Sequence, residues 1–398
     1  MAFIKYALPV LAAANAVFAA DCGDGDTIQI RSQSDLDSYN TCEDLDGDVE
    51  IASSVGGTLV LNGVQRIRGS LTSSGAANIT TFSAPLLETI DDEFHLEGLT
   101  QLTSLEFAEL TSVGSINFEA LPVLQTLGFT SGVTKAGSVS IVNTGLTTLD
   151  GISLNSVGSF IITDNTQLET VNVNNLKNAT NLINFAGNYH ELEISLPNLA
   201  QGTNLTIRNV SSVSIPSLTK LEGQLGFWGN TFSRLAAPNL TETGDLVFED
   251  NESLSNLSLP LLETVNGGFL ITRNDELNTI DFPKLATVTG AIDFSGAFDH
   301  ASLPSLENVR GGFNMQSTGN FSCETFNSWK DNTIHGEYEC KASTSNPTTS
   351  DGTSGSSTTT TSSADDSDST EDAAVLTAAN VPVMGAAALF GMLVQYVL

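Results

Sequence analysis

Gly244-Asp245-Leu246-Val247-Phe248, followed by Asn251, Leu254, Leu257 and Leu259-Pro260-Leu261-Leu262, decides the fold, because the chain repeats this unit at once. The next copy reads Gly267-Gly268-Phe269-Leu270-Ile271, then Asn274, Leu277, Ile280 and Phe282-Pro283-Lys284-Leu285. The residue closing each unit is Leu87, Leu110, Val133, Leu154, Leu176, Leu199, Leu218, Leu240, Leu262, Leu285 and Leu306, at spacings of 19 to 23 residues. About ten such repeats lie between Gly47 and Phe321. A fixed period in this range marks a solenoid, in which each coil contacts only its neighbours.

Within a unit, Gly-x-Φ-x-Φ (Φ is Leu, Val, Ile, Phe or Met) has the two-residue period that sends alternate side chains to one face of a strand. Val139/Ile141, Phe160/Ile162, Leu225/Phe227, Ile292/Phe294 and Phe313/Met315 are such pairs. The residue between them varies (Ser140, Ile161, Gly226, Asp293, Asn314), as a solvent-facing position does. The preceding glycine fits a corner where a side chain clashes or φ is positive. Asn165, Asn188, Asn230, Asn251 and Asn274 recur three residues after the second Φ. Stacked coils turn such a series into an amide ladder, and the pattern lapses at Leu121 and Ala297. A second short strand follows and ends at a proline, which offers no N–H to a ladder. No helical period runs through the repeats. The expected fold is mainly β: a right-handed parallel β-solenoid of leucine-rich-like repeats, spanning residues 20–341.

The two ends differ in kind from the repeats. Met1 to Ala19 has Lys5, a short apolar run and Val17-Phe18-Ala19, and reads as a signal peptide over residues 1–19. Its apolar core is shorter than the roughly 20 residues a membrane span needs. Residues 342–372 are Ser/Thr-rich and acidic, too polar to build a core. Residues 373–398 end in an apolar tail with no basic flank, which is the form of a glycosylphosphatidylinositol (GPI) attachment signal removed on maturation. Asp372-Ala373-Ala374 supplies the small-residue attachment site at Asp372, with Ala378 as the alternative. The expected location is the outer face of the plasma membrane.

Four cysteines form two local pairs, Cys22 with Cys42 and Cys323 with Cys340. A solenoid holds its ends apart, so only the local pairing is geometrically sound. Each bridge falls where a terminal coil would otherwise expose its core, and so staples a cap. A net charge of −32 with 14 basic residues excludes nucleic acid as a partner, because phosphates are repelled by such a surface.

Eight Asn-x-Ser/Thr sequons, at Asn78, Asn178, Asn204, Asn209, Asn239, Asn251, Asn256 and Asn320, predict N-glycosylation of the exposed coils. Asn251 is in conflict, since a ladder amide cannot also carry a glycan. Asp44, Asp46, Asp48 and Glu50 alternate as on the outer face of a capping strand, and lack the Asp-x-Asp-x-Asp-Gly order of a calcium loop. Asp91-Asp92-Glu93 is the one run from which a carbohydrate hydrolase would draw paired carboxylates. His95, His190, His300 and His335 are scattered without ligand spacing, so no catalytic residue, metal or cofactor is expected. Trp228 and Tyr189, beside strand ends, are candidates for stacking on sugar rings. Val247, Leu270 and Ile161, read as outward apolar residues, are candidates for a partner stripe.

The unit Gly-x-Leu-x-Phe…Asn-x-x-Leu-x-x-Leu-x-Leu-Pro is similar to that of the receptor L domain. With the signal peptide, end cysteines, Ser/Thr-rich stalk and GPI signal, the order of parts resembles the fungal GPI-anchored cell-wall organisation proteins, related to sporulation-specific wall proteins. That resemblance implies a role in wall integrity and morphogenesis without a catalytic site, and wall polysaccharides or wall proteins as partners. A wall-remodelling enzyme and a receptor-like surface protein are the alternatives.

Overall fold

A computed structural model describes residues 22–350. The signal peptide, the segment after residue 350, and both attachment candidates, Asp372 and Ala378, lie outside the described residues. The chain winds into a parallel β-solenoid of about 14 turns. Its broad face is one parallel stack: Ile28–Ile30, Val49–Ile51, Leu71–Ser74, Thr89–Glu97, Ser112–Leu121, Ser138–Thr144 and Ser159–Thr163 begin it. Asn178–Ala186, Gln201–Arg208, Leu225–Trp228, Leu246–Glu249, Phe269–Thr272, Ile292–Gly296, Phe313–Ser317 and Tyr338–Lys341 complete it. Shorter strands such as Arg234–Ala236 paired with Asn256–Ser258 form the other flank.

The turn count exceeds the ten repeats read from the sequence. The additional turns lie at the ends, where the glycine-led pattern degenerates but the backbone ladder persists. The coil at Leu71–Ser74, for example, places Ser73 where its neighbours have Ile51 and Leu96. Parallel pairing is a backbone property, so a poor inward residue weakens a coil without removing it.

Register stacks like on like. Leu225, Leu246, Phe269, Ile292 and Phe313 form one inward column, and Phe227, Phe248, Ile271, Phe294 and Met315 the next. All ten are at most 2% exposed. Aromatic rings continue the columns: Phe94 lies 5.1 Å from Phe118, Phe227 lies 5.3 Å from Phe248, and Phe269 lies 4.8 Å from Phe294. A single coil cannot offset the ordering of its backbone; stacking buries both sides of each inward side chain.

The corner glycines are required by close approach. Gly244 N–H donates to the Gly223 carbonyl at 2.8 Å, and a Cβ on Gly244 would lie 2.4 Å from that oxygen. Gly290 repeats the contact with Gly267, where a Cβ would lie 2.6 Å from the carbonyl oxygen.

The amide ladder is built in two runs. In the first, Asn188 accepts from the backbone N–H of Asn165 at 3.0 Å, and Asn165 accepts from that of Thr144 at 3.0 Å. In the second, Asn274 accepts from the N–H of Asn251, Asn251 from that of Asn230, and Asn230 from that of Val210, each at 3.1 Å. The residue before each ladder position is left-handed. Ala120, Asn143, Asp164, Asn209, Asp250 and Arg273 have φ of 52 to 59°, and Gly187 and Gly229 share the column. In these coils the left-handed residue turns the chain, and in the five asparagine coils it brings the ladder amide inward.

Two short helices occur among the described residues, Gln33–Asp37 and Glu324–Asn327, one in each cap. Disulfides Cys22–Cys42 and Cys323–Cys340 close the caps with Cα separations of 5.7 and 6.0 Å. Leu36 seals the first cap, and Phe326, Trp329 and Tyr338 pack around Phe313 in the second.

Candidate functional surface

The outer face of the broad sheet is a set of side-chain rows imposed by the register. Thr72, His95, Asn117, Ser140, Ile161, Asn184 and Thr206 succeed one another, one per coil. Ser115, Ser138 and Ser159 form a neighbouring row. Coils in this stretch therefore present short hydroxyl and amide groups at the roughly 4.8 Å spacing of paired strands. Thr206 donates to Asn184 of the adjacent coil at 2.7 Å, tying these two coils laterally.

Towards the N-terminal end the face is charged. Arg66 grips Asp91 with Nε and Nη2, at 3.1 and 2.7 Å to Oδ2, and this hydrogen bond followed by charge attraction raises the Arg66 pKa. Arg68 meets Asp44 at 2.6 Å. Glu93 accepts from Asn117 at 3.2 Å, and His95 lies between Glu93 and Glu97, at 3.9 and 3.5 Å. Of the run Asp91-Asp92-Glu93, Asp91 is paired with Arg66 and Glu93 accepts from Asn117. The described residues contain no group of three or more His, Cys, Asp or Glu arranged to hold a metal ion.

Where a short coil follows a longer one, a shallow open cleft is lined by Asn178, Thr180, Gln201, Thr203, Lys220 and Glu222. Lys220 bridges to Glu242 at 3.1 Å, and hydrogen bonds from Lys220 and Asn266 hold the Glu242 pKa below its usual range. The cleft is polar and lacks an aromatic wall.

Three expectations about the outer face are corrected. Trp228 is no free stacking platform: its ring lies across Gly226, where a Cβ would come within 2.0 Å of the indole. Arg208 stands 4.4 Å from the ring centroid, and Nε1 donates to Glu249 at 3.0 Å. Tyr189 is engaged as well, its ring edge-on to His190 at 4.7 Å and its hydroxyl donating to Glu191. Val247 is only 3% exposed, and Leu270 and Ile161 are half-buried, so no apolar stripe is displayed. The varied middle position is not solvent-facing throughout either: Asp293 and Asn314 are 5% and 3% exposed. On a flat parallel sheet an outward residue is hemmed by neighbours on both adjacent strands, and in the last coils by returning chain.

Of the sequon asparagines, Asn78, Asn209, Asn239, Asn256 and Asn320 are exposed, and Asn178 and Asn204 are half-buried. Asn251 is fully buried; its amide donates to Phe227 O at 3.1 Å and to Asn274 Oδ1 at 3.0 Å.

Similarity to known proteins assigns the family. The family model described as "Ecm33: GPI-anchored cell wall organization protein" matches residues 1–40. "Protein ecm33" of Aspergillus fumigatus is 61% identical over 100% of both chains. The chain belongs to this family. A "Cell surface GPI-anchored protein" of Arthroderma benhamiae is 43% identical over 89% of this chain and 92% of its own. "Sporulation-specific protein 2" of Saccharomyces cerevisiae is 30% identical over 73% of this chain and 58% of its own. Membership in the Ecm33 family places the chain at the fungal cell surface, on the outer face of the plasma membrane and in the wall, with a part in cell-wall organisation.

Proposed function

We propose that this member of the Ecm33 family acts without catalysis, as a rigid, glycosylated interaction module that supports wall integrity and morphogenesis. The observation that carries this reading is the outer sheet face between Ser115 and Thr206. There, rows mainly of small hydroxyl and amide side chains, interrupted at Ile161, stand in register from coil to coil. Such rows fit a long polymer with many hydroxyls, and wall polysaccharide is the proposed partner; the acidic surface favours no polyanion. The protein is tethered by a GPI lipid at Asp372, or at Ala378. N-glycans sit on Asn78, Asn178, Asn204, Asn209, Asn239, Asn256 and Asn320, while Asn251 stays bare because its amide is spent within the ladder.

The test is incubation of the purified secreted protein with wall glucan and chitin fragments, measuring both retention on the polymer and new reducing ends. Retention without new ends is expected. Turnover that disappears on replacing Asp91, Asp92 and Glu93 would establish the enzyme instead. Replacing residues 372–374 and 378–380 together should release the protein to the medium, and continued membrane retention would refute the lipid tether.

A further inference from the structure

The chain does not leave the solenoid at its C-terminal cap. After Tyr338–Lys341 pairs with Phe313–Ser317, Ser343 takes a left-handed φ of 55° and the chain turns back. Ser343 N–H then donates to Gly319 O and Thr344 N–H to Ser317 O, at 2.9 and 3.0 Å. Residues 347–350 next run over the outer face of the last coils, from the strand holding Asn314 to the strand holding Asp293. Asn314 Nδ2 donates to Thr348 O at 2.8 Å, Gln316 Oε1 accepts from Thr348 N–H at 3.3 Å, and Asp293 Oδ2 accepts from Ser350 N–H at 2.8 Å.

The receiving side chains are also bonded to one another. Gln316 Nε2 donates to Asn314 Oδ1 at 2.9 Å, and Asn314 Nδ2 also donates to Asp293 Oδ1 at 2.8 Å. Asp293, Asn314 and Gln316 are 5%, 3% and 1% exposed, and Pro347 and Thr349 are buried against the same face. The groups contacted on the segment are the N–H and C=O of one residue and the N–H of the residue two further on. Those groups lie along one edge of an extended chain and are otherwise met by a neighbouring strand. Here two amides and a carboxylate replace that strand.

We propose that Asp293, Asn314 and Gln316 form a binding site for an extended peptide backbone, whose resident ligand is the start of this chain's own Ser/Thr-rich segment. These three contacts go to backbone groups of Thr348 and Ser350, so the site selects an extended conformation. Occupied, it makes the segment depart from the outer sheet face behind the cap. It also withdraws the coils of Asp293 and Asn314 from any wall partner, and leaves the hydroxyl rows between Ser115 and Thr206 uncovered.

Hydrogen exchange read by mass spectrometry on the full secreted chain tests this. In the wild type, the Thr348 and Ser350 amides should exchange at least tenfold more slowly than in an unstructured Ser/Thr peptide. In Asp293→Ala/Asn314→Ala/Gln316→Ala, both should reach the unstructured rate while amides of residues 205–228 keep theirs. Thr348→Pro, which removes one donor without touching the sheet, should speed exchange at Ser350, and serves if the triple variant fails to fold. Wild-type exchange at the unstructured rate, or protection that survives these substitutions, overturns the site.

Discussion

Replacing Asn251 by alanine tests the ladder most directly. The wild-type side chain makes four hydrogen bonds: it donates to Phe227 O and Asn274 Oδ1, and accepts from the N–H and Nδ2 of Asn230 at 3.1 and 2.8 Å. Asn230 Nδ2 keeps a bond to Ile207 O, and Asn274 Oδ1 keeps the Asn251 N–H. The Phe227 carbonyl stays in the strand ladder with the Phe248 coil, whereas the Asn230 N–H loses its partner in a coil interior that water does not reach. A buried group left unsatisfied costs about 1–3 kcal/mol, so Asn251→Ala should destabilise by about 1–3 kcal/mol. Ser253→Ala is the control: it destroys the sequon at the exposed Ser253 and leaves the ladder intact. The assay is the denaturant midpoint by circular dichroism, with intact mass for the glycan. Asn251→Ala should lower the midpoint, and Ser253→Ala should leave the midpoint unchanged and alter the mass only by the oxygen removed, with no glycan lost. A loss below about 1 kcal/mol in Asn251→Ala, too small for one unsatisfied group, would refute the reasoning, as would a glycan lost in Ser253→Ala.

Gly244→Ala forces a Cβ to within 2.4 Å of the Gly223 carbonyl oxygen, so it should cost at least the 1–3 kcal/mol typical of overpacking, measured by thermal unfolding. Cys323→Ser with Cys340→Ser opens a bridge of sequence separation 17; a loss of about 3 kcal/mol is expected from loop closure, and exchange should rise first in the C-terminal coils. Lys220→Met should reduce thermal stability at neutral pH only. The Glu242 pKa is depressed in the folded state, so its contribution is full above the unfolded carboxylate pKa and is lost as pH falls through the folded value. Melting curves of the two proteins should therefore differ at pH 7 and converge in acid.

Much of the architecture was legible because a solenoid repeats its physics. The paired Φ positions, the Asn series and the end cysteines each state a local rule, and stacking multiplies every rule along the axis. The left-handed column was hidden, because Ala120, Asn143, Asp164, Gly187 and Arg273 share a conformation and no chemistry. Asp250 and Arg273 occupy that column in adjacent coils, and the Arg273 guanidinium bonds Asp250, a contact seen only once the coils are stacked. The role of the glycines was open between sterics and φ until Gly244 was seen against Gly223.

The period and the alternation of apolar residues determined the coil, its strands and its inward face, since burial depends on spacing alone and spacing is written in the chain. What the outer face offers was decided by tertiary structure. Whether Trp228, Val247, Asp293 or Asn314 meets solvent depends on what lies one coil away, and on a segment that returns from residues 347–350. Outward positions carry no periodic requirement, so their neighbours are known only when the coils are in register.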